Sequence, residues 1–134
     1  MSQGSKENLS IVVVGASGDL ARRKIYPALF ALYCQGCLPE QFQIFGFARS
    51  SYSDSDFRTK ISENLTCRYT PDGQCDLRIG EFLNRCHYVS GSYDSVDSFL
   101  DLFMTMRAAE NNQPANRLYY LAIPPSIFLN FAMT

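Results

Sequence analysis

The chain has 134 residues, of which 46% are hydrophobic, and its formal net charge at pH 7 is -1. This length allows one domain with a real core and is short for an enzyme with separate cofactor and substrate domains. The balanced charge argues against a nucleic-acid partner, no apolar run approaches the roughly 20 residues that span a bilayer, and the first ten residues lack the pattern of a signal peptide. We therefore expect a soluble, intracellular domain.

The first predicted elements are a buried strand and a helix. Ile11–Val14 is a continuous β-branched run that closes on Gly15, which is typical of a strand covered on both faces of a parallel sheet. Apolar residues at helical spacing follow Gly18 and predict a helix. Pro27 removes the backbone hydrogen bond to the carbonyl of Arg23, so we expect this helix to be kinked.

The rest of the chain continues the alternation of strands and helices. We predict strands at Phe42–Phe47, His87–Val89 and Leu118–Ile123, a capped helix within 51–65, a loop at 66–74, a short helix around Ile79–Leu83, and a long helix at Val96–Ala109. This order predicts an α/β fold of the Rossmann-like, doubly wound type, with a parallel sheet between helices. We expect a disordered tail at 1–9 and a dinucleotide-binding domain at 10–134. The amphipathic end of the chain has no cap, which suggests truncation.

The glycine turn after the first strand is a candidate phosphate site. A strand, a glycine turn and a helix bring unpaired backbone N–H groups and the positive end of the helix dipole to one point. Gly15 would allow the sharp turn, Gly18 would let a pyrophosphate approach the backbone, and Ala21 would fit where the helix packs on the strand. The spacing is GxxGxxA and not GxGxxG, so a plain tight turn is the alternative interpretation.

The end of the second predicted strand bears on the choice of cofactor. An acidic residue there would bind the ribose 2′-OH of NAD, whereas an arginine accommodates a 2′-phosphate. The segment GFARS supplies Arg49 and no acid. We therefore predict NADP as the cofactor, with Arg49 and the Ser50 hydroxyl as partners of its 2′-phosphate. The alternative is a solvated surface arginine.

The five cysteines leave several interpretations open. Cys34 and Cys37 have the CxxC spacing of a redox or zinc motif, but no second pair completes a zinc site, so two ordinary cysteines are the preferred interpretation. Cys67 and Cys75 bracket a polar loop whose proline and glycine favour a turn that brings its ends together. We predict no metal site.

The segments GASGDLARRKIYPALFALY, GFARS, YVSGSYD and NRLYYLAIPPSIF, in this order, resemble the amino-terminal coenzyme domain of the glucose-6-phosphate dehydrogenase family. The resemblance runs from Leu9 to the end of the chain and implies that the sheet is incomplete and that an α+β carboxy-terminal domain is missing. It implies a pyrophosphate site in the glycine turn, a 2′-phosphate site at the arginine of the ARS motif, and coenzyme contacts along the LAxPP segment. The residues implied are Gly15, Ser17, Gly18, Asp19, Leu20, Arg49, Ala122, Ile123 and Pro124. Phe128 replaces a family tyrosine and keeps its ring.

The resemblance also implies the reaction of the whole enzyme, which oxidises glucose 6-phosphate at C1 and transfers hydride to NADP. The family's general base is a histidine in an RIDHYLGKE motif, and a lysine in an EKPFG motif helps to position substrate and coenzyme. Neither motif occurs here, and His87 lies outside any such motif, so we assign it a structural or surface role. We expect the chain alone to bind NADP without turnover, with no catalytic residue of its own. A non-catalytic NADP-binding redox-sensing module is the alternative.

The segment around the polar loop resembles the plastid form of the plant enzyme. In that form a cysteine pair at this place makes a regulatory disulfide that thioredoxin reduces, which carries over to Cys67 and Cys75. A surface disulfide is open to thiolate attack, and the alternative is a pair of plain loop cysteines. The resemblance favours the plastid stroma if a transit peptide was trimmed, with the cytoplasm as the alternative. It assigns homo-oligomer contacts to the full-length protein only.

Overall fold

In a computed structural model, the described residues are 8–65, 74–111, 113 and 115–121. They form four strands, four α-helices and one π-helical turn, which alternate along the chain much as predicted. Their bounds are β1 Asn8–Val14, a π-helical turn Ala21–Ile25, α1 Tyr26–Cys34, β2 Gln41–Ala48, α2 Asp54–Ser62, α3 Cys75–Asn84, β3 Cys86–Ser90, α4 Val96–Ala109 and β4 Asn116–Leu121. No helix within these ranges has the length and apolar character needed to cross a lipid bilayer.

The four strands form one parallel sheet in the order β3-β2-β1-β4. β1 lies in the interior of the sheet, where Val12 pairs with Phe45 of β2 and with Tyr119 of β4. Its residues from Ser10 to Val14 are fully buried, as expected for a strand covered on both faces. The Rossmann-like parallel sheet predicted from the sequence is therefore confirmed.

Helices cover both faces of the sheet, which makes the fold doubly wound. On one face, α1, α2 and α3 contribute a core around Phe30, Phe57 and Phe82. On the other face, α4 packs Leu102 and Met106 against the strands. The alternating strand side chains supply the two cores separately, because successive residues of a strand point to opposite faces.

The first helix is disrupted near Pro27, but not as a simple kink at that residue. The N–H of Tyr26 bonds to the carbonyl of Ala21, five residues earlier, so the chain makes a π-helical turn before α1 begins. Pro27 then occupies the first turn of α1, where its missing N–H needs no partner within the helix. The π-helical turn thus absorbs the disruption that the proline causes.

The ends of the elements differ modestly from the predicted ones. Asn8 and Leu9, predicted to end a disordered tail, pair with Gln41 and Phe42 at the start of β2. Residues 1–7, and 66–73 of the predicted loop, lie outside the described residues. Helix α4 has the predicted bounds, and the serine before it accepts a hydrogen bond from the backbone N–H of the third helical residue.

Candidate functional site

The glycine turn that follows β1 is fixed against the end of β2. Gly15 is buried and has a φ of 87°, a conformation that residues with a Cβ rarely adopt. Its N–H donates to the carbonyl of Phe47 at 2.8 Å, and the N–H of Ala16 donates to the same carbonyl at 3.3 Å. The turn is therefore a rigid feature attached to two neighbouring strands.

Several backbone donors at this turn have no backbone acceptor in the described chain. Gly18 donates to the carbonyl of Gly15 at 3.1 Å, whereas the N–H groups of Ser17, Asp19 and Leu20 have no backbone acceptor among the described residues. Gly18, Asp19 and Leu20 are exposed. Unpaired N–H groups at the start of a helix attract anions, and a phosphate would satisfy them.

Little of the described chain packs against the position of Gly18. A Cβ at this position would meet only the carbonyl oxygen of Gly15, at 3.4 Å, and no other part of the described chain. Packing within the protein therefore gives no reason for a glycine here. A pyrophosphate that lies against the backbone would give one, so the turn fits a dinucleotide.

The helix side of the turn is held by two polar contacts. The buried hydroxyl of Tyr26 donates to the carbonyl of Ala16 at 3.1 Å, and burial raises the pKa of Tyr26 well above its usual value. Asp19 pairs with Arg22 at 2.6 Å on the surface. This pair offsets the negative charge of Asp19 beside a site that would receive an anion.

The structure brings the segment after β2 next to the glycine turn. Arg49 and Ser50 are exposed where β2 ends, and the Ser50 hydroxyl lies 3.5 Å from that of Ser17. The two halves of the predicted coenzyme site, which are 33 residues apart in the sequence, are therefore neighbours. Tyr88 of β3 anchors this segment, because its hydroxyl donates to the carbonyl of Ser50.

Tyr88 and Tyr93 belong to this site, although sequence reasoning gave them no role. The guanidinium carbon of Arg49 lies 5.8 Å from the centre of the Tyr93 ring. Burial raises the pKa of Tyr93, and the Arg49 charge opposes part of that rise. Both tyrosines occur in YVSGSYD, one of the segments that resemble the family. The resemblance of this segment does not by itself indicate which residues the two tyrosines contact.

The remaining predicted coenzyme residues follow β4. Val14 pairs with Leu121 at the ends of β1 and β4, so the end of β4 lies next to the residue that precedes the glycine turn. Strand order reverses between β1 and β4, and α/β sheets bind ligands at such a switch point. Ala122, Ile123, Pro124 and Phe128 lie outside the described residues, and their coenzyme contacts stay a prediction.

The described cysteines differ in whether they form a disulfide. Cys34, Cys37 and Cys86 form no disulfide, and burial raises the pKa of the Cys86 thiol to about 12, which leaves it unreactive. Cys75, the first residue of α3, is disulfide-bonded. Cys67 lies outside the described residues. The described ranges contain no group of three or more side chains arranged to hold a metal ion.

His87 has a packing role in the described structure. Its Nε2 lies 2.7 Å from Oε1 of Gln43, and its ring stacks on Phe45 at 5.3 Å. Burial lowers the pKa of this imidazole. The surroundings are those of a half-buried structural histidine, in line with the role assigned from the sequence.

A family model described as "Glucose-6-phosphate dehydrogenase, NAD binding domain" matches residues 12–134. The chain belongs to the glucose-6-phosphate dehydrogenase family. The match covers the glycine turn, the segment after β2 and the segment after β4 in one domain. The predicted family is therefore confirmed, and a nicotinamide dinucleotide is the class of cofactor.

Relatives in plants agree with this family. The chain is 51% identical to the chloroplastic glucose-6-phosphate 1-dehydrogenase of Nicotiana tabacum over 129 residues, which is 96% of this chain and 22% of that protein. It is 52% identical to chloroplastic glucose-6-phosphate 1-dehydrogenase 3 of Arabidopsis thaliana over 122 residues, which is 91% of this chain and 20% of that protein. The chain thus spans about a fifth of the length of these relatives. Both relatives are named as dehydrogenases, which gives no support to the alternative of a redox-sensing module.

A solved glucose-6-phosphate dehydrogenase in complex with its substrate glucose-6-phosphate superposes with a TM-score of 0.86 at 39% identity. The alignment covers 99% of this chain and 28% of the solved one. The fold is thus the amino-terminal dinucleotide-binding fold of the family, and most of the solved chain has no counterpart in it.

Proposed function

We propose that this chain is the coenzyme-binding part of an NADP-dependent glucose-6-phosphate dehydrogenase. The observation that carries the proposal is the 3.5 Å separation of the Ser17 and Ser50 hydroxyls. This short distance places the glycine turn and the Arg49 segment on one surface. A dinucleotide needs such a surface, because its pyrophosphate and its 2′-phosphate must both be bound. NADP would lie across the carboxyl ends of β1, β2 and β4.

The preference for NADP over NAD rests on Arg49. The segment that closes β2 carries this exposed arginine and no acidic residue. An acid would accept hydrogen bonds from a ribose 2′-OH and repel a phosphate, whereas a guanidinium attracts the phosphate and bonds to two of its oxygens. Arg49 therefore takes the 2′-phosphate, and the hydroxyl of Ser50 donates to it.

The glycine turn takes the pyrophosphate. The N–H groups of Ser17, Asp19 and Leu20 supply donors, and the absence of a side chain at Gly18 allows close approach. Ala122, Ile123 and Pro124 would line the coenzyme beyond β4, with Phe128 keeping an aromatic ring nearby. When bound, NADP accepts hydride, and the residues of this chain bind and orient it.

The whole protein would oxidise glucose 6-phosphate at C1 to the lactone, as the first step of the oxidative pentose phosphate pathway. The sequence of this chain supplies no base for the C1 hydroxyl, since the family's histidine motif is absent and His87 is committed to Gln43 and Phe45. Hydride transfer needs such a base within hydrogen-bond reach. The 134 residues alone would thus bind NADP without turnover.

The site of action we propose is the plastid stroma, because both plant relatives are named as chloroplastic. The cytoplasm is the alternative. A homo-oligomer is expected only for a full-length protein, whose additional domain would supply the contacts.

Redox regulation is a separate part of the proposal. We propose that Cys67 and Cys75 form a disulfide that thioredoxin reduces. The support is that Cys75 is disulfide-bonded while Cys34, Cys37 and Cys86 form no disulfide. In denaturant, the oxidised chain should titrate with three thiols and the thioredoxin-treated chain with all five. A full set of free thiols after mild oxidation would contradict the pairing.

Calorimetric titration of the purified chain with NADP and NAD tests the coenzyme assignment. Wild type should bind NADP more tightly than NAD, and Arg49→Ala should bring NADP close to the affinity of NAD while leaving NAD unchanged. Arg107→Ala is the matched control, because this exposed arginine lies near the end of α4, at the opposite end of the sheet. An Arg49→Ala variant that keeps its preference for NADP would overturn the assignment of the 2′-phosphate site.

A further inference from the structure

The guanidinium of Arg49 packs against the aromatic ring of Tyr93 and not against an acidic side chain. Its guanidinium carbon lies 5.8 Å from the centre of the Tyr93 ring, within the range of about 6 Å over which cations and aromatic faces attract. Among the described residues, no carboxylate forms an ion pair with Arg49. The charge of Arg49 therefore stays available for an anion, while its position is limited by a neutral partner.

Tyr93 is itself fixed by packing against buried residues. It is 9% exposed and belongs to the core between the sheet and α4. Its ring meets Phe47 edge-on, with centres 5.8 Å apart. Because Phe47 is also buried and lies two residues before Arg49 in the chain, the support and the arginine are fixed to the same strand end.

The turn between β3 and α4 brings Tyr93 to this place. The N–H of Gly91 donates to the carbonyl of Ala48 at 2.9 Å, directly before Arg49. A Cβ on Gly91 would lie 2.8 Å from the Phe47 ring and 2.6 Å from Cβ of Ser98, so only glycine permits this close approach. The N–H of Ser92 bonds to the Ser98 hydroxyl at 3.0 Å. These contacts attach the turn to β2 and α4.

A rigid support has a direct consequence for ligand binding. An exposed arginine populates many rotamers, and fixing them on binding a phosphate reduces affinity. An aromatic face beneath the guanidinium removes part of that entropy loss before the ligand arrives and leaves the N–H edge free. A carboxylate would also orient Arg49, but it would compete with the phosphate for the same charge.

We propose that Tyr93 is a positioning residue for coenzyme selection, which holds Arg49 in the orientation that receives the 2′-phosphate. This inference rests on the proposed function, in which Arg49 binds that phosphate. Tyr93 acts through its contact with Arg49, the residue assigned to the 2′-phosphate that NAD lacks. Its removal should therefore affect NADP and spare NAD.

The test compares Tyr93→Leu, Tyr93→Phe and Arg49→Ala, each titrated with NADP and NAD. Tyr93→Leu should weaken NADP binding about three- to tenfold, as expected for loss of one cation–aromatic contact, with NAD unchanged. Tyr93→Phe keeps the ring and should bind both coenzymes like wild type. In the Arg49→Ala background, Tyr93→Leu should have no further effect on NADP.

The outcomes separate this inference from the proposed function. If Arg49→Ala lowers NADP affinity while Tyr93→Leu leaves it unchanged, or weakens NADP and NAD equally, the 2′-phosphate site stands and the role of Tyr93 is overturned. If Arg49→Ala leaves the ratio of NADP to NAD affinity unchanged, both are overturned.

Should Tyr93→Leu fail to fold, pentafluorophenylalanine at this position keeps the shape of a Phe ring and reverses its quadrupole. It should then lower NADP affinity relative to Tyr93→Phe, and equal affinities would overturn the inference.

Discussion

Gly15 donates its backbone N–H to the carbonyl of Phe47 at 2.8 Å, and this bond joins the turn after β1 to the end of β2. The turn reaches that carbonyl only because Gly15 has a φ of 87°. The residues that follow Gly15 carry the unpaired N–H groups of the site. Replacing Gly15 and replacing Gly18 should therefore have different effects.

Replacing Gly15 should destabilise the fold. Gly15→Ala forces an L-residue into a left-handed conformation, which costs about 1–3 kcal/mol of unfolding free energy. Chemical denaturation of the purified chain measures this loss. Gly80→Ala is the matched control, because Gly80 lies within α3 with nothing near its Cβ position, and alanine there should stabilise by about 0.5–1 kcal/mol. Equal stability of Gly15→Ala and wild type would contradict the strained turn.

Replacing Gly18 should affect binding and not folding. The Cβ of Gly18→Ala would meet only the carbonyl oxygen of Gly15, at an ordinary contact distance of 3.4 Å, so the unfolding free energy should stay within about 0.5 kcal/mol of wild type. The methyl group would occupy the path of the pyrophosphate, and affinity for NADP and NAD should both fall about tenfold, within the cost of inserting one methylene into a packed contact. Calorimetric titration measures both affinities. Wild-type binding by Gly18→Ala would place the pyrophosphate elsewhere.

Much of the fold follows from local sequence signals. The apolar run before Gly15 predicts β1, and the long helix predicted at Val96–Ala109 has the same bounds in the structure. The start of β1 was less clear, because Ser10 is a polar residue whose burial depends on Glu110, 100 residues away. Such long-range pairs leave no periodic signal in the chain.

The candidate site shows the same limit. The glycine turn and Arg49 are readable because their residue types match the chemistry of phosphates. The contact of Tyr93 with Arg49 joins distant parts of the chain and depends on the path of the turn after β3, which the sequence does not encode in a local pattern. The π-helical turn is another case, since Pro27 predicts a disruption but not the bond from Tyr26 to Ala21.

The hydroxyl of Tyr88 should contribute to both stability and coenzyme binding. It donates to the carbonyl of Ser50, so Tyr88→Phe should cost about 1 kcal/mol of unfolding free energy, as for a typical hydrogen bond. It should also weaken NADP binding more than NAD binding, because Ser50 loses an anchor beside the 2′-phosphate. Denaturation and titration measure the two effects.

The control for this prediction is Tyr52→Phe. Tyr52 packs edge-on against the Tyr88 ring at 5.5 Å, and its hydroxyl has no hydrogen-bond partner among the described residues. It should match wild type in stability. Burial raises the pKa of Tyr88 to about 12, so the contribution of its protonated hydroxyl should be complete below about pH 10 and be lost as the pH rises through the folded pKa. Equal behaviour of both variants would contradict a role for the Tyr88 bond.

The buried carboxylate of Glu110 should make stability depend on acid pH. It accepts hydrogen bonds from Ser10 at 2.5 Å and from Arg117 at 2.9 Å, and so joins the end of α4 to β1 and β4. Burial alone would raise the pKa of Glu110, but these hydrogen bonds and the Arg117 charge lower it overall. The ionised form is therefore favoured in the folded state, and its stabilisation is present above the unfolded pKa and lost as the pH falls through the lower, folded pKa.

Glu110→Gln should accordingly destabilise the chain at pH 7 by about 2–3 kcal/mol. This is somewhat less than the roughly 3–5 kcal/mol for removing one partner of a fully buried ion pair, because Arg117 is partly exposed. The difference from wild type should shrink as the pH falls from about 4.3 through the folded pKa of Glu110, since protonation then removes the same charge from wild type. Denaturation curves at pH 7 and at successively lower pH measure this difference. Glu63→Gln, at an exposed position after α2, is the control and should show no such convergence. A difference in unfolding free energy between Glu110→Gln and wild type that stays constant across this pH range would mean that the charge of Glu110 does not account for its contribution to stability.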